Sequence, residues 1–243
     1  MDSLRFISGA KIRAYSPKCK SLIEHSRHRF VSTAFKKARH QNMDTILQPE
    51  SINAKEAATQ YPVHEFIRQR WSARSFADRP IEHDTLMTLL EAASWASSSM
   101  NEQPWVYLYA HKGEPAFQQM YDCLLPGNRW ADGAPVLLLS LARKNFASNG
   151  KHNRHALHDV GAANTTLLLQ AAAMDIFGHQ MGGFDMQKTI ETFQIPDDME
   201  AVCFISIGYL DEPEKLEEPF RTRELTPRKR KELAEFAFAG KMI

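Results

Sequence analysis

The chain has 243 residues, 43% hydrophobic and 24% charged, with a formal net charge of +1. That is an ordinary globular composition, long enough for one substantial core, and it excludes a disordered or uniformly basic chain. Cys19, Cys123 and Cys203 form no CxxC pair and no zinc-type spacing with histidine, which argues against a disulfide framework or structural metal and fits a reducing, cytoplasmic setting.

Charge is unevenly spread. Residues 1–42 carry ten Lys and Arg against two acids, and the remainder carries twenty against twenty-seven. This leader lacks an apolar h-region, so it is not a secretory signal. Its composition permits an organellar presequence or a nucleic-acid arm. The simplest reading is a disordered, solvated extension, upstream of a natural start at Met43 and of a single domain over residues 43–243.

After Pro62, the spacing of Val63, Phe66, Ile67 and Arg70 predicts an amphipathic helix over VHEFIRQR. It runs into RWSARSF, residues 70–76. If that segment is extended, period two puts Arg70, Ser72 and Arg74 on one side as an anion cradle; if it is helical, Ser72 points away from the two arginines. Beyond Pro80, Leu86, Leu89, Leu90 and Ala93 mark a second helix, with Glu82 and Asp84 in its first turn to match the helix dipole. SSSMNEQP then reads as a loop. WVYLYA (105–110) predicts a strand, residues 115–124 a helix, and APVLLLSLA (134–142) a strand buried on both faces.

From Ala156 to Phe177 the chain is rich in Ala and Leu without proline. It predicts a long buried helix with Gly178 as its C-terminal cap. HQMGGF follows as an irregular piece, Asp185 is placed to cap a short helix, and VCFISIGY (202–209) is another buried strand. No run of apolar residues reaches the ~20 needed to cross a bilayer. The last thirty or so residues are charged and interrupted by prolines, yet end in ELAEFAFAG. Leu233, Phe236 and Phe238 should lie against something apolar, with a partner subunit the natural candidate.

Four features could carry chemistry: RWSARSF, SSSMNEQPW, QMGGF and the basic run PRKRK at 227–231. Each has a plain alternative. RWSARSF suits a solvated helix end, where basic residues are favoured by the dipole. SSSMNEQPW suits a turn, Gly182 and Gly183 a positive-φ turn, and PRKRK a basic surface patch.

Together and in this order the features resemble the nitroreductase family of FMN oxidoreductases, over nearly everything from Pro62 to Gly240. The family's Arg-x-Ser-x-Arg-x-Phe is matched by Arg70, Ser72, Arg74 and Phe76. Its Ser-Ser-x-Asn-x-Gln-Pro-Trp loop is matched by Ser98, Ser99, Asn101, Gln103, Pro104 and Trp105. Its central helix is similar to HALHDVGAANTTLLLQAAAMDIFG, its Gly-Phe-Asp turn to Gly183, Phe184 and Asp185, and its C-terminal Arg-x-Arg to Arg228 and Arg230. GNRWADGAP and LAEFAFAG look like one subgroup of the family.

The resemblance implies an α+β fold, a mixed β-sheet flanked by helices, in an interlocked homodimer with flavin sites at the interface. It implies FMN as cofactor and NAD(P)H as reductant. Nitroaromatics, quinones or similar acceptors would be reduced by ping-pong hydride transfer through flavin N5. The implied cofactor-binding set is Arg70, Trp71, Ser72, Arg74, Ser98, Ser99, Asn101, Gln103, Gly182, Gly183, Arg228 and Arg230. Arg70, Ser72, Arg228 and Arg230 would face the phosphate dianion. Arg74 would face the ring, where charge develops on reduction. Many relatives carry an acidic or larger residue where this chain has Gly182. Trp71 and Trp105 are expected as core or subunit-contact aromatics.

No side chain reads as an obligatory catalytic residue, and His155, His158 and His179 read as packed or surface histidines. The absence of GxGxxG fits a visiting nicotinamide nucleotide. The rival readings are reductive dehalogenation or oxygen-dependent flavin chemistry on the same fold, and a non-enzymatic binder of anions or nucleic acid using the leader and PRKRK.

Overall fold

The computed structural model of the chain describes residues 49–242, so the leader at 1–42 lies outside the described residues. Two short helices come first, α1 (Glu50–Lys55) and α2 (Glu65–Gln69). The latter is shorter than the periodicity predicts. His64 caps it through Nδ1, which accepts the Phe66 N–H at 3.3 Å, and Arg70 already has an extended ψ of 123°. Two of the predicted apolar positions find no cover, Val63 at 37% and Ile67 at 52% exposed, while Phe66 is partly buried. Next come α3 (His83–Ser94), β1 (Trp105–His111), α4 (Pro115–Asp122), β2 (Val136–Arg143), α5 (Ala156–Ala173), β3 (Phe177–Met181), α6 (Met186–Phe193), β4 (Met199–Gly208) and α7 (Phe220–Leu225).

The strands form one sheet in the order β1-β2-β4-β3, and every pairing among them is antiparallel. Helices cover the sheet, as the α+β expectation required. The apolar run of β2 is continuous because both faces are buried. Leu137, Leu139 and Leu141 join Phe204, Trp71, Phe76, Phe117, Met120 and Trp130 on one side. Val136 and Leu138 join Ile205 and Ile207 on the other, under Leu86 and Leu89 of α3 and Leu167 and Ala171 of α5. Burying a side chain of this size stabilises the fold by about 1.5–3 kcal/mol.

One boundary differs from expectation. Helix α5 ends at Ala173, with Met174 as its C-cap, and Asp175 takes a left-handed φ of 55°. Gly178 is therefore no cap. It lies inside β3, where a Cβ would come within 2.4 Å of Leu168 Cδ2 and 3.2 Å of the Ser206 carbonyl. The glycine lets the sheet approach α5, and His179 to Met181 continue the strand where an irregular piece is expected. Asp185 caps α6 as predicted, its side chain accepting the Lys188 N–H at 3.0 Å.

Candidate functional site

Once α2 stops, residues 71–75 run extended, and Phe76 bridges to Leu210 beside the sheet. Burial alternates. Trp71 (3%), Ala73 (0%) and Ser75 (1%) face the core, while Ser72 is exposed and Arg70 and Arg74 are partly so. Of the two geometries open to RWSARSF, the chain adopts the period-two one. The apolar positions 71 and 73 enforce it by packing into the core, and the buried Phe76 ends the alternation.

The C-terminal segment lies across this extended run. Arg228 Nη1 donates to the Arg70 carbonyl at 2.7 Å and Nη2 to the Arg68 carbonyl at 2.5 Å. Arg228 thus clasps the tail to residues 68–70, and its buried Nε is left without a partner among the described residues. Lys55 from α1 donates through Nζ to the carbonyls of Arg223, at 2.6 Å, and Thr226. These bonds satisfy the open C-terminal end of α7. Together the three segments enclose a cavity of about 330 Å³ lined by Lys55, Arg70, Trp71, Ser72, Arg74, Arg223, Thr226, Pro227, Arg228 and Arg230.

None of these lining residues is acidic. Burial lowers the pKa of Arg70, and Arg230 lowers it further; burial, Arg70 and Arg230 lower that of Arg228. Among the described residues the Arg70 guanidinium has no hydrogen-bond or ion-pair partner, and that of Arg230 donates only to the neighbouring Lys229 carbonyl. Crowded, unpaired cations over an orphaned Nε–H form a site that an anion with several oxygens would relieve. A phosphate group fits that donor set.

Arg74 stands differently. Its Nη1 lies 3.6 Å from Glu224, and its guanidinium lies 5.7 Å from the Trp130 ring centroid. Trp130 packs on His179 at 4.7 Å, and the His179 Nδ1–H donates to the Ala73 carbonyl at 3.1 Å. Burial, then the Arg74 charge, pushes the His179 imidazole down to about 4, so it is neutral near pH 7. His179 is a packed residue that fastens the backbone between Ser72 and Arg74.

The other expected residues lie outside this cavity. Ser99 N–H donates to Asp159 Oδ2 at 2.9 Å, tying the loop to the start of α5. Ser98 Oγ accepts the Gln103 N–H, and Gln103 Nε2 donates to the Asn101 carbonyl. Met100, Asn101 and Gln103 all have left-handed φ, between 53° and 56°. Gly182 and Gly183 follow β3, and neither has positive φ, so a turn requirement does not explain them. A Cβ at Gly182 would meet nothing within 4 Å; the Gly183 carbonyl accepts from Leu125 N–H at 3.1 Å and Asn128 Nδ2 at 2.9 Å. His155 lies beside Arg154, and the largely exposed His158 is paired with Asp159. Trp71 is a core residue edge-on to Phe177 at 6.0 Å.

Sequence reasoning missed Lys55, Arg223, Thr226, Glu224, Asn128 and Trp130. GNRWADGAP contained two of these, without a role. Lys55 and Glu224 carried no signal, because what makes each special is a contact roughly 150 or more residues away along the chain.

The Nitroreductase family model matches residues 67–209. A solved structure described as "The crystal structure of the oxidoreductase containing FMN" is 34% identical, with a TM-score of 0.73 over 76% of this chain and 96% of that one. An uncharacterised 15.4 kDa protein of Mycolicibacterium smegmatis is 28% identical over 54% of this chain and 88% of its own length. An Archaeoglobus fulgidus protein named "Putative NADH dehydrogenase/NAD(P)H nitroreductase" is 24% identical over 59% of this chain and 82% of its own. Matched by the family model through the arginine segment, the loop, the sheet and the central helix, this chain belongs to the nitroreductase family.

Proposed function

We propose that residues 43–243 form an FMN-dependent oxidoreductase that takes hydride from NAD(P)H and reduces nitroaromatics, quinones or similar acceptors in two successive half-reactions. The observation that carries this reading is the acid-free cationic cavity between the arginine segment and the tail. Family membership supports it, as does the FMN named in the structure to which the chain is 34% identical.

Arg70, Ser72 and Arg230 hold the phosphate, and Arg228 adds its Nε–H while clasping the tail in place. FMN, when bound, supplies hydride acceptance and donation at N5. Arg74 supplies a fixed positive charge for the ring. Asn101 and the backbone of Gly182 and Gly183 are assigned to the ring and ribityl side. The loop and glycines lie outside the cavity of one chain, so a second copy is part of this reading. Exposed Tyr61 (64%), Ile67 (52%), Trp95 (82%), Met100 (87%) and Phe236 (58%) offer it an apolar surface. Among the described residues no helix is long and apolar enough to cross a membrane, and a cytoplasmic setting completes the proposal.

The test is purification of residues 43–243 followed by FMN titration and anaerobic addition of NADH or NADPH. The expected result is a yellow protein whose flavin absorbance bleaches on addition of nicotinamide nucleotide and returns with a nitroaromatic or quinone. A colourless protein that takes up no FMN and oxidises neither nucleotide contradicts the proposal and favours a plain anion binder.

A further inference from the structure

A carboxylate lies directly behind the cationic wall. Glu224, in α7, is 0% exposed. Its Oε1 accepts the Arg74 N–H at 2.8 Å and the Ser75 N–H at 3.2 Å, and its Oε2 lies 3.6 Å from Arg74 Nη1. Oε2 has no hydrogen-bond partner within reach among the described residues, so its compensation comes from charge: Arg74 at that distance and Lys55 near by. A buried carboxylate placed this way is costly unless its contacts offset the loss of water. Two of its three direct contacts fall on Arg74, gripped at both its main chain and its guanidinium, and the third is the neighbouring Ser75 N–H.

The other arginines of the cavity are treated differently. Among the described residues, Arg74 is the one lining side chain held in an ion pair. Arg70 is unpaired, Arg228 is spent on carbonyls, and Arg223 and Arg230 are exposed. All of them line one cavity, and Arg74 is kept from turning toward the same anion as Arg70 and Arg230 by the Glu224 carboxylate, with the Trp130 ring beside its guanidinium. Lys55 fixes the helix that carries the tether, through the Arg223 and Thr226 carbonyls on either side of Glu224.

We infer that Glu224 is a positioning residue that withholds Arg74 from the phosphate and keeps its charge for the flavin ring. The inference rests on the FMN reading above and adds the device that divides the arginines between two tasks. Glu224→Gln keeps an oxygen for the two backbone N–H groups but removes the charge that holds the guanidinium. Arg74 is then free to join the phosphate set.

Two quantities separate the outcomes: orthophosphate affinity of the apoprotein by calorimetry, and the midpoint potential of bound FMN. Glu224→Gln is expected to tighten orthophosphate roughly tenfold, one added charge-assisted contact. The potential is expected to fall by about 30 mV for a two-electron couple, the equivalent of a tenfold loss of preference for the reduced cofactor. In an Arg74→Gln background the same substitution should change neither quantity beyond about twofold. Unchanged or weakened phosphate binding in Glu224→Gln overturns the inference, as does tightening that persists without Arg74, which would mark a general charge effect.

If Glu224→Gln does not fold, Arg74→Gln alone decides. Unchanged phosphate affinity with a lowered potential supports the tether; weakened phosphate affinity contradicts it. A wild-type protein that binds orthophosphate but not FMN would sink the FMN reading, while the phosphate measurements would still judge Glu224.

Discussion

Residues 70–76 and residues 98–105 are both short, irregular and rich in polar side chains, yet they are held differently. The first is fixed from far along the chain: Arg228 binds the Arg70 carbonyl, Glu224 the Arg74 and Ser75 amides, His179 the Ala73 carbonyl, and Phe76 bridges to Leu210. The second is held partly by its own hydrogen bonds and partly by three longer-range ones, Asp159 accepting the Ser99 N–H, Glu102 the Ala147 N–H and the Pro104 carbonyl the Arg143 N–H, and it has three left-handed non-glycine residues in a row of four. The arginine segment encloses a cavity within one chain. The loop presents Met100, 87% exposed, to whatever lies outside it. In the proposed reading, the phosphate surface is complete within one chain in the first region, while the second is left for a partner copy to close.

The largest effect should come from breaking the first region at its unpaired cations. Arg70→Ala combined with Arg230→Ala removes two charge-assisted contacts to the phosphate and should weaken FMN binding at least about a hundredfold, read by flavin fluorescence titration. Unchanged binding would mean that the phosphate sits elsewhere.

His179 tests how tightly that region is buried. Its folded-state pKa, about 4, lies below the ordinary 6.5. The unfolded chain therefore takes up a proton first, and the stability contributed by neutral His179 is present above pH 6.5 and lost as pH falls toward 4. The loss should approach about 3 kcal/mol across that window. A His179→Gln variant, which can still donate to the Ala73 carbonyl, should show a flatter decline of unfolding free energy with acid. An identical pH profile would place the imidazole in contact with water.

Asp159→Ala strikes the second region. It leaves the Ser99 N–H without its acceptor and should cost about 1–3 kcal/mol in chemical denaturation. Its effect on orthophosphate binding should be negligible, because Asp159 does not line the cavity. Loss of orthophosphate affinity would show that the two regions are coupled within one chain. The smallest effect belongs to Met100→Gly. At φ 55° glycine relieves the left-handed strain of a side-chain-bearing residue. A net gain below about 1 kcal/mol is expected once the entropy of the freer unfolded chain is subtracted. A clear loss would indicate that Met100 is packed against a second copy in solution.

These two regions also mark what could be read from the chain beforehand. Strands β1, β2 and β4 were legible because their apolar runs report burial directly, as in β2, whereas β3 falls where a helix end and an irregular piece are expected. The Arg-x-Ser-x-Arg spacing was legible as a one-sided cradle once extended, and Trp71 and Ala73 are the core residues that set the alternation. The end of α5 was not, because a left-handed Asp175 competes with the more familiar glycine cap, and Gly178 serves a close helix–sheet approach instead. Lys55 and Glu224 were invisible for a different reason. Their local sequence is unremarked, and their meaning comes from long-range contacts alone.

The central claim is that the cavity of Arg70, Ser72, Arg228 and Arg230 is the phosphate end of an FMN site. It is tested most directly by titrating FMN and riboflavin onto the same protein, since riboflavin keeps the ring system and lacks the phosphate. The account predicts that FMN binds at least about a hundredfold more tightly, and that Arg70→Ala with Arg230→Ala abolishes the difference. Equal affinities for the two flavins in the unaltered protein would contradict it.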